Sequence, residues 1–135
     1  IKKNFGGNYV EVDLTNQKLY LYKNSELIMS SNIVSGSVSQ THMTPTGVYK
    51  VYSMEKNTVL RGADYASPVS FWMPFNGGIG FHDATWRGSF GGQIFWNSGS
   101  HGCINLPYSA AQTIYQNIEK DYLVICFYRN GEYKY

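Results

Sequence analysis

The stretch from residue 8 to residue 36, NYVEVDLTNQKLYLYKNSELIMSSNIVSG, decides the fold. Its apolar residues recur at every second position, which is the pattern of half-buried β-strands. The segments TNQ and KNSE carry Asn and Ser side chains that bond nearby backbone and so predict turns. We therefore expect a meander of three strands, the third over Leu27–Val34, with Glu11 and Asp13 opposite the apolar face of the first.

The middle of the chain consists of short apolar runs separated by polar loops. VYKVYSM, VSFWMPF and GIGFHD predict further strands, whereas residues 35–47 and the segment ATWRGSFGGQ predict loops. The region from Glu55 to Ser67 shows no clear period. His42, in the first loop, is expected to be solvent-exposed. Four residues of the apolar runs are expected in the core rather than in contact with a substrate: Tyr52, Met54, Phe71 and Trp72.

The pattern changes after Asn105. Apolar residues from Tyr108 to Ile118 recur at helical spacing, and Pro107 suits the first helical position, where no N–H is needed. PYSAAQTIYQNIEK therefore predicts a helix, and YLVICFY predicts a closing strand. The expected fold is mostly β, a β-sandwich-like arrangement of mixed sheets with one main α-helix after the cysteine motif. One domain is expected over residues 1–135.

Composition excludes several classes of protein. The chain has 135 residues, a net charge of +2, 43% hydrophobic and 15% charged residues, and this balance is that of a folded domain rather than a disordered one. No cluster of basic residues indicates nucleic-acid binding, and no apolar run is long enough to span a membrane. The sequence begins at Ile1 and shows no signal peptide, so we expect any export signal to lie outside it.

The run SGSHGCINLP, residues 98–107, raises four possibilities for Cys103. A free cysteine is often a buried core residue, but the polar, flexible surroundings here are unlike a core strand. Cys126, within YLVICFY, fits the core better. A Cys103–Cys126 disulfide is possible, although sequence does not establish the distance it needs. Metal binding is disfavoured because the spacings typical of structural zinc sites are absent.

A nucleophilic role explains more of the motif. A thiol attacks as the thiolate, so it needs a base or a positive environment. A histidine can accept the proton, Gly102 gives the backbone freedom to aim N–H groups at an oxyanion, and the start of the following helix would add a favourable field. Both His82 and His101 could be the base, and the residues alone leave that choice open.

The same residues resemble the signature of the L,D-transpeptidase catalytic domain, a family that acts on bacterial peptidoglycan. The resemblance rests on a histidine at position 82, a spacer, and the run SHGCIN at 100–105. YVEVDLTNQKLYLYKNSELI, TPTGVYKV and GIGFHDA are similar to the family's first strands, its Pro–Gly loop with the next strand, and the strand carrying the first histidine. HDA followed by a Gly-rich loop containing tryptophan is most similar to Gram-positive members. The resemblance covers nearly the whole chain.

The resemblance implies that Cys103 is the nucleophile and that His82 is the base, oriented by the backbone carbonyl of Asp83. Many members carry a small residue where this chain has Asp83. A carbonyl survives any side chain, so the orienting role stands, and the effect of the carboxylate on the pKa of His82 stays open. His101 is left between oxyanion support and a share in proton transfer. The remaining implied roles are oxyanion or loop support by Gly102, Ser100 and Asn105, and substrate contact by Gly80, Trp86 and Phe90.

The implied reaction joins two peptidoglycan stems without a metal or an organic cofactor. Cys103 attacks the carbonyl of stem residue 3, releases the terminal D-alanine, and passes the acyl group to an acceptor amine, which forms a 3→3 cross-link. The implied partners are the donor and acceptor stem peptides, with carbapenems as covalent inhibitors, and the implied location is the bacterial cell wall or surface. The alternatives are a wall peptidase or L,D-carboxypeptidase that uses water as acceptor, and a non-catalytic wall-binding module.

Overall fold

A computed structural model describes residues 6–63 and 65–129, and within them the chain forms nine strands and two helices. The predicted single domain over residues 1–135 extends into segments 1–5, 64 and 130–135, which lie outside the described residues. The elements in chain order are β1 (Tyr9–Asp13), β2 (Lys18–Lys23), β3 (Glu26–Asn32), β4 (Gly47–Lys50), β5 (Glu55–Arg61), β6 (Ala66–Asn76), β7 (Ile79–Asp83), α1 (Ile94–Ser98), β8 (Ile104–Leu106), α2 (Tyr108–Asn117) and β9 (Leu123–Phe127).

The predicted meander builds one half of a five-stranded sheet with the order β3-β2-β1-β9-β4. β1 pairs parallel to β9, and the other neighbours are antiparallel. The third strand ends at Asn32 rather than Val34. β1 is more buried than its alternation predicts, because Glu11 and Asp13 are only 5% and 2% exposed. A second apolar cluster of Tyr9, Ile125 and Phe127 lies on that face of the sheet, beside the two acidic residues.

The second sheet has the order β5-β6-β7-β8, with β7 parallel to β8 and the other pairs antiparallel. The two mixed sheets confirm the expected mostly β fold. One core joins them, since a single buried cluster includes Val10 and Val124 from the first sheet, Met73 and Phe81 from the second, and Ile114 from α2. Each such side chain stabilises the fold by about 1.5–3 kcal/mol through the apolar surface it removes from water.

The helix prediction is confirmed with a shifted start. α2 begins at Tyr108, one residue later than predicted, so Pro107 is the N-cap residue and not the first residue of the helix. The three residues of β8 and Pro107 separate Cys103 from this helix. A strand of that length carries the chain roughly 10 Å, and the field of a helix end fades within its first turn. The expected contribution of the helix start to the thiol is therefore wrong. Neither helix in the described part is long and apolar enough to cross a bilayer.

Three elements, β5, α1 and the short β8, form where the sequence predicted none. β5 lies in the region without a period, because it is an exposed edge strand that pairs only with β6 and has no apolar face to display. α1 follows the loop 84–93 and spans five residues, which is too short for a helical period to be visible. The predicted strand VYKVYSM is shorter than expected, since β4 ends at Lys50 and Tyr52 is 50% exposed rather than in the core.

The polar segment 35–47 connects β3 of the first sheet to β4, and its backbone hydrogen-bonds to the chain just before β8 of the second sheet. Just before it, Val34 and Asn105 exchange two backbone hydrogen bonds of 3.0 and 2.9 Å. Within it, the Ser37 N–H donates to the carbonyl of Ser100 at 3.0 Å, and the Ser100 N–H donates to the carbonyl of Ser35 at 2.9 Å. The segment that precedes Cys103 is thereby held by the end of the N-terminal meander.

Candidate active site

The register between β7 and β8 places the candidate residues on one face of the second sheet. His82 lies beside Asn105 in the parallel pairing, and Phe81 lies beside Ile104. Because side chains alternate along a strand, Phe81 and Ile104 enter the core while His82 and Asn105 point to the other face. Continuing the same register, Cys103 stands beside Gly80 and diagonal to His82. A histidine and a cysteine 21 positions apart in the chain (103 − 82) are thus neighbours in space.

These residues line a cavity of about 430 Å³. His82, Cys103, His101 and Asn105 all contribute to its wall, as do the residues of the β5–β6 hairpin opposite them. The predicted substrate residue Trp86 lines it too. The wall also includes residues that sequence reasoning did not assign to the site, among them Trp72, Gly78, Arg87, Arg61 and Tyr65.

Two tryptophans flank the His82 ring. The ring of Trp72 lies 6.0 Å from it and that of Trp86 lies 5.9 Å from it, measured between centroids. Trp72 pairs directly with His82 across β6 and β7, so the expectation that it is a core residue is wrong. Phe71, the preceding residue, does enter the core as expected, and Met54 packs against the core while partly buried.

His82 is held in one orientation and one tautomer. Its Nδ1 lies 2.8 Å from the carbonyl oxygen of Asp83. A carbonyl can only accept, so Nδ1 carries the proton and Nε2 is the basic nitrogen. Burial lowers the pKa of His82 below its usual 6.5, and the positive charge of Arg87 lowers it further, whereas the carbonyl and carboxylate of Asp83 act in the opposite direction. The imidazole is therefore neutral at pH 7.

The Cys103 thiol is half-buried in the cavity wall. It donates to the carbonyl of Gly78, with Sγ 3.4 Å from the oxygen. Burial raises the pKa of Cys103 from 9.0 to about 11, although a hydrogen bond with the Gly80 backbone acts to lower it. At neutral pH the cysteine is thus a thiol beside a neutral imidazole, rather than a preformed ion pair.

The turn that presents Cys103 is closed by hydroxyl groups. Ser100 Oγ donates to the carbonyl of Cys103 at 2.6 Å and accepts from the Gly102 N–H at 3.1 Å. Thr44 Oγ1 donates to the carbonyl of Gly102 at 2.6 Å and accepts from the Gly36 N–H at 3.0 Å. Gly102 has a φ of +132°, a conformation that residues with a side chain rarely adopt. The role of Thr44 had no signal in the sequence, since its partners are 58 and 8 residues away.

His101 lies between two other rings on the exposed side of the turn. Its centroid is 4.8 Å from that of His42 and 5.1 Å from that of Tyr65. His42 is half-buried in this stack, so the expectation that it is solvent-exposed is wrong. The Gly102 amide is already bonded to Ser100, so what Gly102 supplies to the turn is its backbone conformation.

The Asp83 carboxylate anchors the strand that carries His82. Oδ1 accepts from the backbone N–H groups of Ser70 and Phe71 at 2.9 Å each, and Oδ2 accepts from Ser70 at 3.1 Å. These amides lie just beyond the pair Trp72–His82, where the β6–β7 ladder ends. The carboxylate therefore replaces the ladder at the edge of the site.

We expect Asp83→Asn to destabilise the domain by about 2 kcal/mol, because charge-assisted bonds are lost and an amide N–H₂ in place of either oxygen would face at least one backbone donor. Urea unfolding followed by far-UV circular dichroism measures this. Asp121→Asn is the matched control, since Asp121 is exposed and asparagine tolerates its φ of +77°. Equal midpoints for the two variants would show that the carboxylate contributes nothing.

Asn105 connects His82 to Arg87. The hydrogen-bond partners assign its amide so that Nδ2 donates to His82 Nε2 at 3.1 Å and Oδ1 accepts from Arg87 Nε at 2.9 Å and Nη2 at 3.2 Å. The reverse orientation would set oxygen against the basic nitrogen and donors against the guanidinium. Arg87 Nη1 also donates to the carbonyl of Ser98 at 2.8 Å. No pattern in the sequence pointed to Arg87.

The structure agrees with some of the remaining sequence predictions and disagrees with others. Phe90 is half-buried and does not line the cavity. Gly80 contacts the Cys103 sulfur through its backbone. Both cysteines are free thiols, so the possible Cys103–Cys126 disulfide is absent, and Cys126 is a buried core residue as expected. Among residues 6–63 and 65–129, no three His, Cys, Asp or Glu side chains gather in a way that could hold a metal ion.

Comparison with known proteins identifies relatives of this arrangement. No curated protein matches the sequence significantly. A cysteine-to-serine variant of the Enterococcus faecium L,D-transpeptidase is 38% identical, with a TM-score of 0.85 over 90% of this chain and 50% of that chain. This chain therefore spans half the length of that protein.

The catalytic domain of the E. faecium L,D-transpeptidase acylated by ertapenem is 38% identical, with a TM-score of 0.81 over 90% of this chain and 98% of that chain. An L,D-transpeptidase from Mycobacterium tuberculosis shares the fold, at 19% identity and a TM-score of 0.78 over 89% of this chain and 57% of that one. The family described as the L,D-transpeptidase catalytic domain (YkuD) matches residues 7–126. Because that match spans most of the sequence, the chain belongs to the L,D-transpeptidase catalytic domain family.

Proposed function

We propose that this domain forms 3→3 cross-links between peptidoglycan stems, with Cys103 as the nucleophile and His82 as the base. The observation that carries the proposal is the shared cavity, in which the thiol and an imidazole with a defined basic nitrogen stand on adjacent parallel strands. Of the two histidines at the thiol, only His82 has its Nδ1 proton committed to a carbonyl, which leaves Nε2 to accept a proton.

In the first step, Cys103 Sγ attacks the carbonyl carbon of stem residue 3 while the thiol proton passes to His82 Nε2. The tetrahedral intermediate collapses, the C–N bond to the terminal D-alanine breaks, and His82 returns the proton to the departing amine. The product is a thioester on Cys103 and free D-alanine. Because the pKa of the thiol is raised to about 11, attack depends on proton removal during this step.

In the second step, an amine of a neighbouring stem attacks the thioester. Its proton passes to His82, the C–S bond breaks, and His82 gives that proton to the departing Cys103 sulfur, which restores the thiol. In both steps the developing oxyanion needs donors near the thiol, and we assign these to the backbone N–H groups of His101 and Cys103, since that of Gly102 is bonded to Ser100. Ser100 and Thr44 hold that turn, so their part is to fix the position of the donors.

The aromatic rings at the cavity wall support a peptide substrate. Trp72 and Trp86 flank His82 there, and rings of this size offer a large apolar area against which an extended peptide can pack. The related E. faecium domain is acylated by ertapenem, and we extend that reactivity to Cys103 of this chain. Since that substrate is part of the cell wall, we propose that the protein works outside the cytoplasm, at the bacterial cell wall or surface.

Intact-mass spectrometry tests the proposed function directly. The protein is mixed with two tetrapeptide stems that differ only at residue 3, and then with an acceptor stem. A donor-minus-D-alanine adduct and a cross-linked dimer are expected. A trimmed tripeptide with no dimer would instead identify a carboxypeptidase that uses water, and no adduct with any donor would favour a wall-binding module.

The rate of acylation should depend on pH through His82. Only the neutral imidazole accepts the thiol proton, and burial lowers the pKa of His82, so the rate should rise with pH and level off with a midpoint below 6.5. Stopped-flow measurement of ertapenem acylation from about pH 4 to about pH 9 gives the profile. A rate that instead climbs continuously through pH 9 would show that free thiolate, not His82, controls the reaction.

A further inference from the structure

The Arg87 guanidinium acts on His82 through Asn105, because it sets which end of the Asn105 amide faces the imidazole. A guanidinium has only N–H donors, so it can bind only the oxygen end of the Asn105 amide. Two of its nitrogens do so, at 2.9 and 3.2 Å. The amide has a single oxygen, and its N–H₂ end is therefore directed at His82 Nε2, 3.1 Å away.

A donor that faces Nε2 selects the state of the imidazole. It bonds well to the bare nitrogen of the Nδ1–H tautomer, which the carbonyl of Asp83 also requires. It would oppose the other tautomer and the imidazolium, because both carry a proton on Nε2 and would set two donors against each other. Asn105 alone does not fix the protonation state of His82, because its amide could flip and present its oxygen to Nε2.

We propose that Arg87 is a positioning residue that locks the Asn105 amide and so keeps His82 as a neutral base with Nε2 free of a proton. The inference rests on the proposed function for its catalytic meaning, but the state of His82 can be measured without any reaction. Burial favours the lock, because Asn105 is 2% exposed and His82 is 4% exposed, and water cannot easily replace either partner.

Charge acts in the same direction as geometry. The charged or titratable groups around His82 are Asp83 on its own strand, Arg87 on the following loop, and Cys103 and His101 on the turn before β8, with Arg61 and Tyr65 across the cavity. Arg87 lowers the pKa of His82 and Asp83 raises it. A lysine at position 87 would retain the charge but not the planar fork that holds the amide, so charge and positioning can be separated.

Nitrogen-15 NMR of the imidazole rings tests the proposal, and the chain has only three histidines to assign. In the unsubstituted protein His82 Nε2 should show the shift of an unprotonated nitrogen across the neutral range. Arg87→Met should raise the pKa of His82, so that Nε2 becomes protonated at higher pH, because a nearby like charge and a fixed donor are lost while the Asp83 carbonyl still holds the proton on Nδ1. Arg87→Lys keeps the charge but not the planar fork, so it should raise the pKa of His82 by a smaller amount that reports the positioning alone.

Arg61→Met is the matched control, since Arg61 is a cation at the wall of the same cavity without a bond to Asn105. It should leave the protonation of His82 Nε2 unchanged. Circular dichroism and thermal melting establish that each variant is folded. If Arg87→Met unfolds because its bond to Ser98 is lost, the protonation of His82 Nε2 in Arg87→Lys still decides the matter.

Kinetics provide a second readout. The acid limb of the acylation profile of Arg87→Met should move to higher pH by the measured pKa change, which lowers the rate about tenfold per unit on that limb, with KM for the donor within about twofold. An unchanged His82 spectrum in both Arg87 variants would overturn the proposal. A raised KM with an unchanged spectrum would overturn it as well, since it would make Arg87 a substrate contact. If no donor acylates the protein but the spectra change as expected, the proposed function fails while the positioning role stands.

Discussion

Replacing Cys103 with alanine is expected to abolish acylation by both stem donors and carbapenems. The substitution removes the only atom that forms the thioester, and the loss of a nucleophile typically lowers the rate by at least roughly a thousandfold. The half-buried Cys103 side chain lies in the cavity wall rather than the core, so the fold should persist. Intact-mass spectrometry after incubation with ertapenem gives the result as the presence or absence of one adduct.

The chain offers its own control, because its second cysteine lies in the core. Cys126 is fully buried in β9 and burial raises its pKa far above the neutral range, so it stays a protonated thiol. Cys126→Ala should still gain one adduct, with some loss of stability from the cavity it creates. An adduct on Cys103→Ala, or its loss in a folded Cys126→Ala, would contradict the assignment of the nucleophile.

The second large effect is expected from His82→Gln, with a fall in the acylation rate of roughly 10²- to 10⁴-fold at neutral pH. Without the base, attack depends on thiolate already present. With the pKa of Cys103 at about 11, that fraction at pH 7 is on the order of 10⁻⁴. The residual rate should therefore rise about tenfold with each pH unit, and the acid limb assigned to His82 should disappear.

The same measurement resolves the role of His101, which the residues alone left open. His101 is exposed and stacked between His42 and Tyr65, whereas His82 is buried and its Nδ1 proton is committed to Asp83. His101→Gln should keep the acid limb even where its rate is lower. If His101→Gln removes that limb and His82→Gln keeps it, the base is His101.

The strands that pair along the chain were predictable from local pattern. The alternation in residues 9–23 reflects apolar residues that reach the core at every second position, and β1 and β2 form as expected. α2 was predictable in the same way, from apolar residues that recur at helical spacing. The region from Glu55 to Arg61 had no pattern because β5 is an exposed edge, where burial does not select for apolar residues.

The pair of Cys103 and His82 was reached from sequence through residue chemistry and family resemblance, since reactive side chains and their spacing are visible in one dimension. The contacts that surround the pair were not visible. Trp72 was assigned to the core because an aromatic in an apolar run usually packs there, and only its pairing with His82 turns it to the cavity. Thr44 and Arg87 reach the site from loops that carry no periodic signal.

By itself, then, the sequence determined the mostly β fold and the helix after the cysteine motif, and its resemblance to a known family nominated Cys103 and His82 as the reactive pair. Only the tertiary structure decided the parallel register of β7 and β8, the neutral state of the thiol and imidazole, and the link from Arg87 through Asn105 to His82. The physical reason is the distance along the chain between the residues that set each property. Alternation and helical period report each residue's own burial, whereas the tautomer of a base and the pKa of a thiol depend on groups that only folding brings within hydrogen-bond distance.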